Sequence, residues 1–414
     1  MTRHAFAFTG VFLLAGGLFV SVLHAEGDCR VCRGTGKVKD PYHRPPVDFE
    51  IKHSAWLRQK GLGLGWVPCP KCEDAEATAA FEAWRKTLGT WVRERRKDVD
   101  RVLFEGEPGF RRLAESGAIR HTESAHFRLI STAPSLPVLT CEVPEDLFPG
   151  LPSRSRQKRT FSPEQYDWIL LKRAEEALED YREIFLDRGP FKSAATAMIE
   201  DPCKPAEGKY DVFLWNNAKE HLVCARKFFG TANELGTYKH GNRMSSPVGT
   251  TPETRNDEQL HRYLTHILHH LFLEAYGGCI GFDMPAWVPE GFTHYMEYRR
   301  FGDFKITCYF ERRGPVSIPS RLKPYVFKLV AGKQDLPAAS LIKRNYNAMD
   351  RDVHCQIWSL MHFLIEKQPR EKFIRFIRLL KRTKDQLKAF KEAYGYSLIA
   401  VDEPWRAFVL REYR

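Results

Sequence analysis

Past residue 25 the 414-residue chain has no apolar run approaching about 18 residues, so its body carries no segment that reads as a membrane-spanning helix. It has no G-x-S-x-G turn to present a nucleophilic serine. Gly34-Thr35-Gly36-Lys37 is followed by Val38 and lacks the earlier glycine of a phosphate loop. No internal repeat with a period of roughly 20–50 residues is present, which excludes solenoids and propellers. Hydrophobic residues are not scarce, at 43%, and that excludes a disordered chain. The length suits two or three units at about 150 residues each.

The charge balance is 64 Lys+Arg against 52 Asp+Glu, a net +12. Half of that excess lies in residues 366–392, with ten basic and four acidic side chains. Phe373, Ile374, Ile377 and Leu380 form an apolar helix face there, so Arg375, Arg378, Lys381 and Arg382 are expected to face away into water. The positive charge therefore reads as the solvated side of a helix, and no specific nucleic-acid partner is expected.

The first 25 residues set the compartment. Arg3 and His4 precede an uncharged run from Ala5 to Leu23, and a small residue, Ala25, stands before Glu26. A basic start, an apolar stretch and a small residue describe a secretory signal. Leu23 occupies a position where cleavage prefers a small residue, so cleavage and retention as an N-terminal anchor both stand. The expectation is export, to a periplasmic, extracellular or membrane-anchored location.

Export frames the ten cysteines. Cys29-Arg-Val-Cys32 and Cys69-Pro-Lys-Cys72 are two C-x-x-C pairs separated by 36 residues. Each pair can direct two thiolates at one tetrahedral ion, and two pairs complete a structural zinc site in a stretch too poor in apolar residues to fold on a core. Disulfides and a redox couple are the competing readings. The first pair continues Arg33-Gly34-Thr35-Gly36, and C-x-x-C-x-G-x-G resembles the zinc-binding repeat of DnaJ-type chaperones. That likeness covers about eight residues, and the second pair continues Glu73-Asp74 without glycines. The other six cysteines (Cys141, Cys203, Cys224, Cys279, Cys308 and Cys355) stand in mostly apolar context and read as buried thiols, with one or two disulfides as the alternative.

Periodicity predicts a helix-dominated α+β body. Ala125–Ser131 alternates as a strand and Tyr210–Trp215 reads as a second one. Ser162-Pro163-Glu164-Gln165 is a capping box opening a helix that runs to Phe185. A further helix is predicted from Asn256 to Gly277-Gly278, and residues 230–251 read as irregular. The organisation expected is a signal over residues 1–25, a zinc-ribbon-like module over 26–75, a helical linker over 76–117, and the main domain over 118–414.

The strongest chemical signal lies between residues 261 and 297. Five of the 15 histidines (His261, His266, His269, His270 and His294) fall there. His266 and His270 stand four apart, one helical turn, on one face. Glu290, on a following helix, closes a His₂Glu set of the kind found in zinc hydrolases. Its surroundings, Pro285-Ala286-Trp287-Val288-Pro289-Glu290-Gly291-Phe292, resemble the gluzincin metallopeptidases of the peptidase MA-like group. Ala125–Thr132, the segment Cys355–Leu364 with Trp358-Ser359-Leu360 and His362-Phe363-Leu364, and Ala389-Phe390, Tyr394-Gly395 and Trp405-Arg406 extend the likeness over residues 118–414.

The resemblance implies zinc held by His266, His270 and Glu290, and peptide hydrolysis. It breaks where the family has its glutamate, because the residue after His266 is Ile267. Isoleucine cannot move a proton, and general acid/base catalysis contributes roughly 10²–10⁴ in rate. His269, about 100° round the helix from His270, is expected to point away. Glu274 lies one turn beyond His270 but lacks the family's geometry. His294 and Glu297 read as groups that support the ligands, or, for His294, as an extra ligand that closes the site. The leading expectation is an impaired or inactive metallopeptidase homologue acting in binding or scaffolding, with a protein or peptide partner. The alternatives are an active zinc peptidase with an unconventional base and a zinc-ribbon chaperone-like module.

Overall fold

The alternating and apolar segments near the start of the main domain become neighbouring strands, and the capped segment between them becomes the helix that connects them. A computed structural model describes residues 37–39, 66–68, 116, 118–151, 155–185, 209–224, 245–249, 256–276, 284–308 and 316–414. Cys29, Cys32, Cys69, Cys72, the signal segment and nearly all of the expected 76–117 linker lie outside these residues.

Two short strands come first, β1 (Lys37–Lys39) and β2 (Trp66–Pro68), paired antiparallel with Lys37 opposite Pro68. The main sheet contains β3 (Arg120–Glu123) and β4 (Phe127–Ser131), paired antiparallel. A separate two-stranded pair, β5 (Val138–Leu139) with β6 (Lys158–Arg159), precedes the first long helix. That helix, α1 (Pro163–Phe185), begins with the expected reciprocal cap: Ser162 N–H donates to Gln165 Oε1 at 3.0 Å and Gln165 N–H to Ser162 Oγ at 3.2 Å.

The chain then returns to the sheet as β7 (Tyr210–Trp215), parallel to β4. A central parallel strand is covered on both faces, and all six β7 residues are buried. After the short helix α2 (Ala218–Cys224), β8 (Ser245–Gly249) pairs parallel with β7 and completes the order β3-β4-β7-β8. Residues 245–249 thus lie in the sheet although their sequence reads as irregular. Ser-Ser-Pro-Val-Gly has no alternation of its own, and its position at the end of the strand order tolerates Pro247.

Eight helices follow among the described residues. α3 (Asp257–Ala275) starts where expected, with Asn256 Oδ1 accepting Gln259 N–H at 2.9 Å. It packs against α1, β8 and α4 (Trp287–Phe301), and every residue from Leu260 to Glu274 is buried. A helix covered all round is the central element of its core. α5 (Leu322–Ala331) and the single turn α6 (Ala338–Leu341) lead to α7 (Arg351–Glu366), which packs on α4. The chain ends in α8 (Arg370–Thr383), α9 (Gln386–Tyr394) and α10 (Asp402–Glu412). The described body is an α+β fold in which helices dominate.

One face of α8 departs from its amphipathic reading. Phe373, Ile374, Ile377 and Leu380 are buried as expected, but so is Lys381, at 0% exposure. Its Nζ donates to the carbonyls of Glu274 and Tyr276 at 2.8 and 2.6 Å. The last carbonyls of α3 have no helical partner, and an ammonium group satisfies them as it meets the negative end of the helix.

Candidate metal centre

Three elements bring the site together. α3 supplies His266 and His270 from one face, α4 supplies Glu290 in its first turn, and the chain after α4 supplies a fourth group. The approach of α4 to α7 depends on Gly291. A Cβ there would sit 2.9 Å from Met361 Cγ and 3.0 Å from the Ile357 carbonyl oxygen, so no larger residue fits without a shift. Trp287, wholly buried, stacks on Phe376 and donates its indole N–H to Gln386 Oε1 at 2.8 Å. The Trp-Val-Pro-Glu-Gly stretch is therefore a packing element as well as the carrier of Glu290.

His266, His270 and Glu290 are each 0% exposed. His270 Nε2 lies 3.2 Å from His266 Nε2 and 3.2 Å from Glu290 Oε2, while His266 Nε2 is 3.9 Å from that oxygen. The structure thus brings together all three residues of the expected His₂Glu set, with one donor atom of each turned to a common point. Burial holds the His266 imidazole neutral by lowering its pKa to about 3. A neutral imidazole keeps the lone pair that a metal ion requires. Glu290 Oε2 has no hydrogen-bond donor despite complete burial. An unmatched buried carboxylate oxygen of this kind is compatible with a bound cation.

Glu290 Oε1 is engaged differently. Gly302, in the left-handed region at φ 80°, ends α4 and turns the chain back along it. On that return Lys305 N–H donates to Glu297 Oε1 and Cys308 N–H donates to Glu290 Oε1, each at 2.8 Å. Two carboxylates two turns apart on α4 are thereby clamped by one returning segment. Arg262 holds the start of that segment through Asp303 at 2.6 Å.

The return also carries the Cys308 thiol to the site. Sγ lies 3.3 Å from His266 Nε2 and 3.5 Å from His270 Nε2. His266, His270, Glu290 and Cys308 form one convergent group whose donor atoms all lie within 4.8 Å of one another. Burial, and then the Glu290 carboxylate, push the Cys308 thiol well above its usual range when no cation is present. Spacing along the sequence gives no sign of this residue, which reaches the site only through the reversal at Gly302. Cys141, Cys308 and Cys355 are free thiols, but of these only Cys355 is buried as expected; Cys141 is exposed and Cys308 half-buried. Cys203, Cys279 and the Cys224 side chain lie outside the described residues.

His294 and Glu297 surround the ligands. His294 Nε2 lies 3.5 Å from Glu290 Oε1 and 2.9 Å from His354 Nδ1, and its ring stacks on Phe304. It therefore stands on the Oε1 side of Glu290, while Cys308 joins the His266–His270–Glu290 group. His354, from α7, is a second residue that spacing did not reveal, because only the packing of α7 on α4 brings it in. Glu297 Oε2 lies 3.5 Å from His266 Nδ1, the side of the ring away from His270. Burial raises the Glu297 pKa to about 8, against the opposing effect of backbone N–H donors. No hydrogen bond joins these two atoms, so Glu297 stands behind the ring without fixing its tautomer.

The other polar residues of α3 singled out by the sequence stand outside this group. His269 Nδ1 meets the Thr265 carbonyl at 2.7 Å, and its ring packs against Phe272 and Phe292, as its angular offset requires. Glu274 belongs to none of the convergent His/Cys/Asp/Glu groups found among the described residues. His261 packs edge-on against Phe301. Ile267 is 3% exposed within the hydrophobic core.

The donors available are two imidazole nitrogens, a carboxylate oxygen and a thiol sulfur, a set compatible with zinc. No described helix is long and apolar enough to cross a membrane. No protein-family model matches the chain, and no curated protein matches it.

Proposed function

We propose that this chain is an exported, gluzincin-like protein that holds zinc through His266, His270 and Glu290 without hydrolysing peptides, and that it acts in binding or scaffolding. The observation that carries the reading is Ile267, an aliphatic residue in the core directly after the first histidine ligand. A zinc-bound water needs a carboxylate to take its proton and return it to the leaving amine. The remaining nearby carboxylate, Glu297, stands behind His266 and is clamped by the Lys305 N–H. In this reading zinc ties α3 to α4 and braces the core.

The N-terminal module belongs to the same proposal. Lys37 lies five residues after Cys32, and Pro68 immediately precedes Cys69. The β1–β2 ladder pairs Lys37 with Pro68, which supports a common site for Cys29, Cys32, Cys69 and Cys72. This module would hold a second, purely structural zinc ion.

A peptide library incubated with the zinc-loaded chain tests the reading. No cleavage is expected from the native sequence. Cleavage that chelator and His266→Ala both abolish would show a working peptidase and overturn the proposal.

A further inference from the structure

We propose that Cys308 is the fourth ligand of this centre, binding as a thiolate and closing an N₂OS tetrahedron that takes a thiophilic divalent cation and leaves no position for water. The inference rests on the reading that His266, His270 and Glu290 hold a metal, and goes beyond it by assigning the remaining position and the class of ion.

Geometry is the first support. Tetrahedral bonds of about 2.0–2.3 Å place ligand atoms roughly 3.3–3.7 Å from one another. The five separations given above run from 3.2 to 3.9 Å: His266 to His270, each histidine to Glu290 Oε2, and each histidine to Cys308 Sγ. The second support is Glu290 Oε2, wholly buried and without a hydrogen-bond donor. Hydrogen bonding within the cluster leaves that oxygen unmatched, whereas a cation at the common point serves it together with the other three atoms.

Charge balance points the same way. Two neutral imidazoles, one carboxylate and one thiolate bring two negative charges to a divalent ion. The closed site is neutral, which is what burial demands. A neutral water in place of the thiolate would leave a net positive charge in the core. On binding, the thiol releases one proton to solvent as the sulfur–metal bond forms. Sulfur and imidazole ligands select zinc or cobalt over magnesium or calcium, which prefer all-oxygen sites. The backbone holds the sulfur in place, because the Cys308 N–H is bonded to the other oxygen of Glu290.

Cobalt(II) substitution of the full chain reads this directly, since a cobalt–thiolate bond gives a near-ultraviolet charge-transfer band. Thiolates at Cys29, Cys32, Cys69 and Cys72 would contribute to the same region, so the readout is the native spectrum minus that of Cys308→Ser. The expected difference is a band corresponding to one thiolate. If the two spectra coincide while His270→Ala loses one cobalt, the Cys308 assignment falls and the metal centre stands. If His270→Ala loses no metal, both readings fall. Should Cys308→Ser not fold, the native chain supplies the test. The peptide carrying Cys308 is expected to resist iodoacetamide in the zinc-loaded protein and to react after chelation. Equal labelling with and without zinc overturns the assignment.

Discussion

Two buried polar clusters lie along α3, one at its N-terminus and one at its middle, and they differ in how their charges are met. At its N-terminus Asp257 receives Arg173 in a bidentate pair at 2.7 and 2.9 Å, and Tyr166 OH donates to Asp257 Oδ1 at 2.9 Å. Both carboxylate oxygens have donors, and the negative charge meets a guanidinium and a helix N-terminus. Farther along the helix, Glu290 meets the imidazoles of His266, held neutral by burial, and His270, with a thiol whose pKa burial pushes well above its usual range. The first cluster contains its own cation. Among the described residues the second presents lone pairs to one point with no Lys or Arg beside them, an arrangement compatible with a metal ion.

The largest expected effect lies in the self-contained cluster. Arg173→Ala leaves the Asp257 carboxylate buried without its partner and should cost about 3–5 kcal/mol in urea denaturation. That loss should be the same with and without a zinc chelator. The second cluster should behave in the opposite way. Removing zinc held at a hundredfold excess over its Kd should cost about 2.7 kcal/mol. Chelator titration of the native chain against His270→Ala separates this contribution from that of the N-terminal cysteines.

A smaller effect tests whether burial alone, away from either cluster, makes a histidine a liability in acid. Burial lowers the His362 pKa from 6.5 to about 4, and its Nδ1 contacts Tyr413 OH at 2.7 Å. The folded state then binds fewer protons than the unfolded one. Its contribution is present above pH 6.5 and is lost as pH falls from 6.5 towards 4. His362→Gln should flatten the stability–pH curve in that window when zinc-free protein is followed by circular dichroism.

Much of the centre was legible because its signals are local. A four-residue histidine spacing and the Trp-Val-Pro-Glu-Gly context place His266, His270 and Glu290 without tertiary information. The cap at Ser162, the strand over 127–131 and the strand over 210–215 were legible for the same reason. Cys308 and His354 were not. One arrives by a reversal at Gly302 and the other on a helix that packs in from 60 residues beyond His294. Spacing places Lys381 on the outward side of its helix, but the carbonyl ends of α3 rather than its own neighbours set its position. β8 lacks alternation and becomes a strand only through its pairing with β7.

Zinc stoichiometry of the full chain after dialysis against weak chelator tests the central claim most directly. Two ions per native chain and one per His270→Ala chain are expected, with the remaining ion on the N-terminal cysteines. An identical zinc content in the two proteins would contradict the assignment of the α3–α4 cluster as a metal centre.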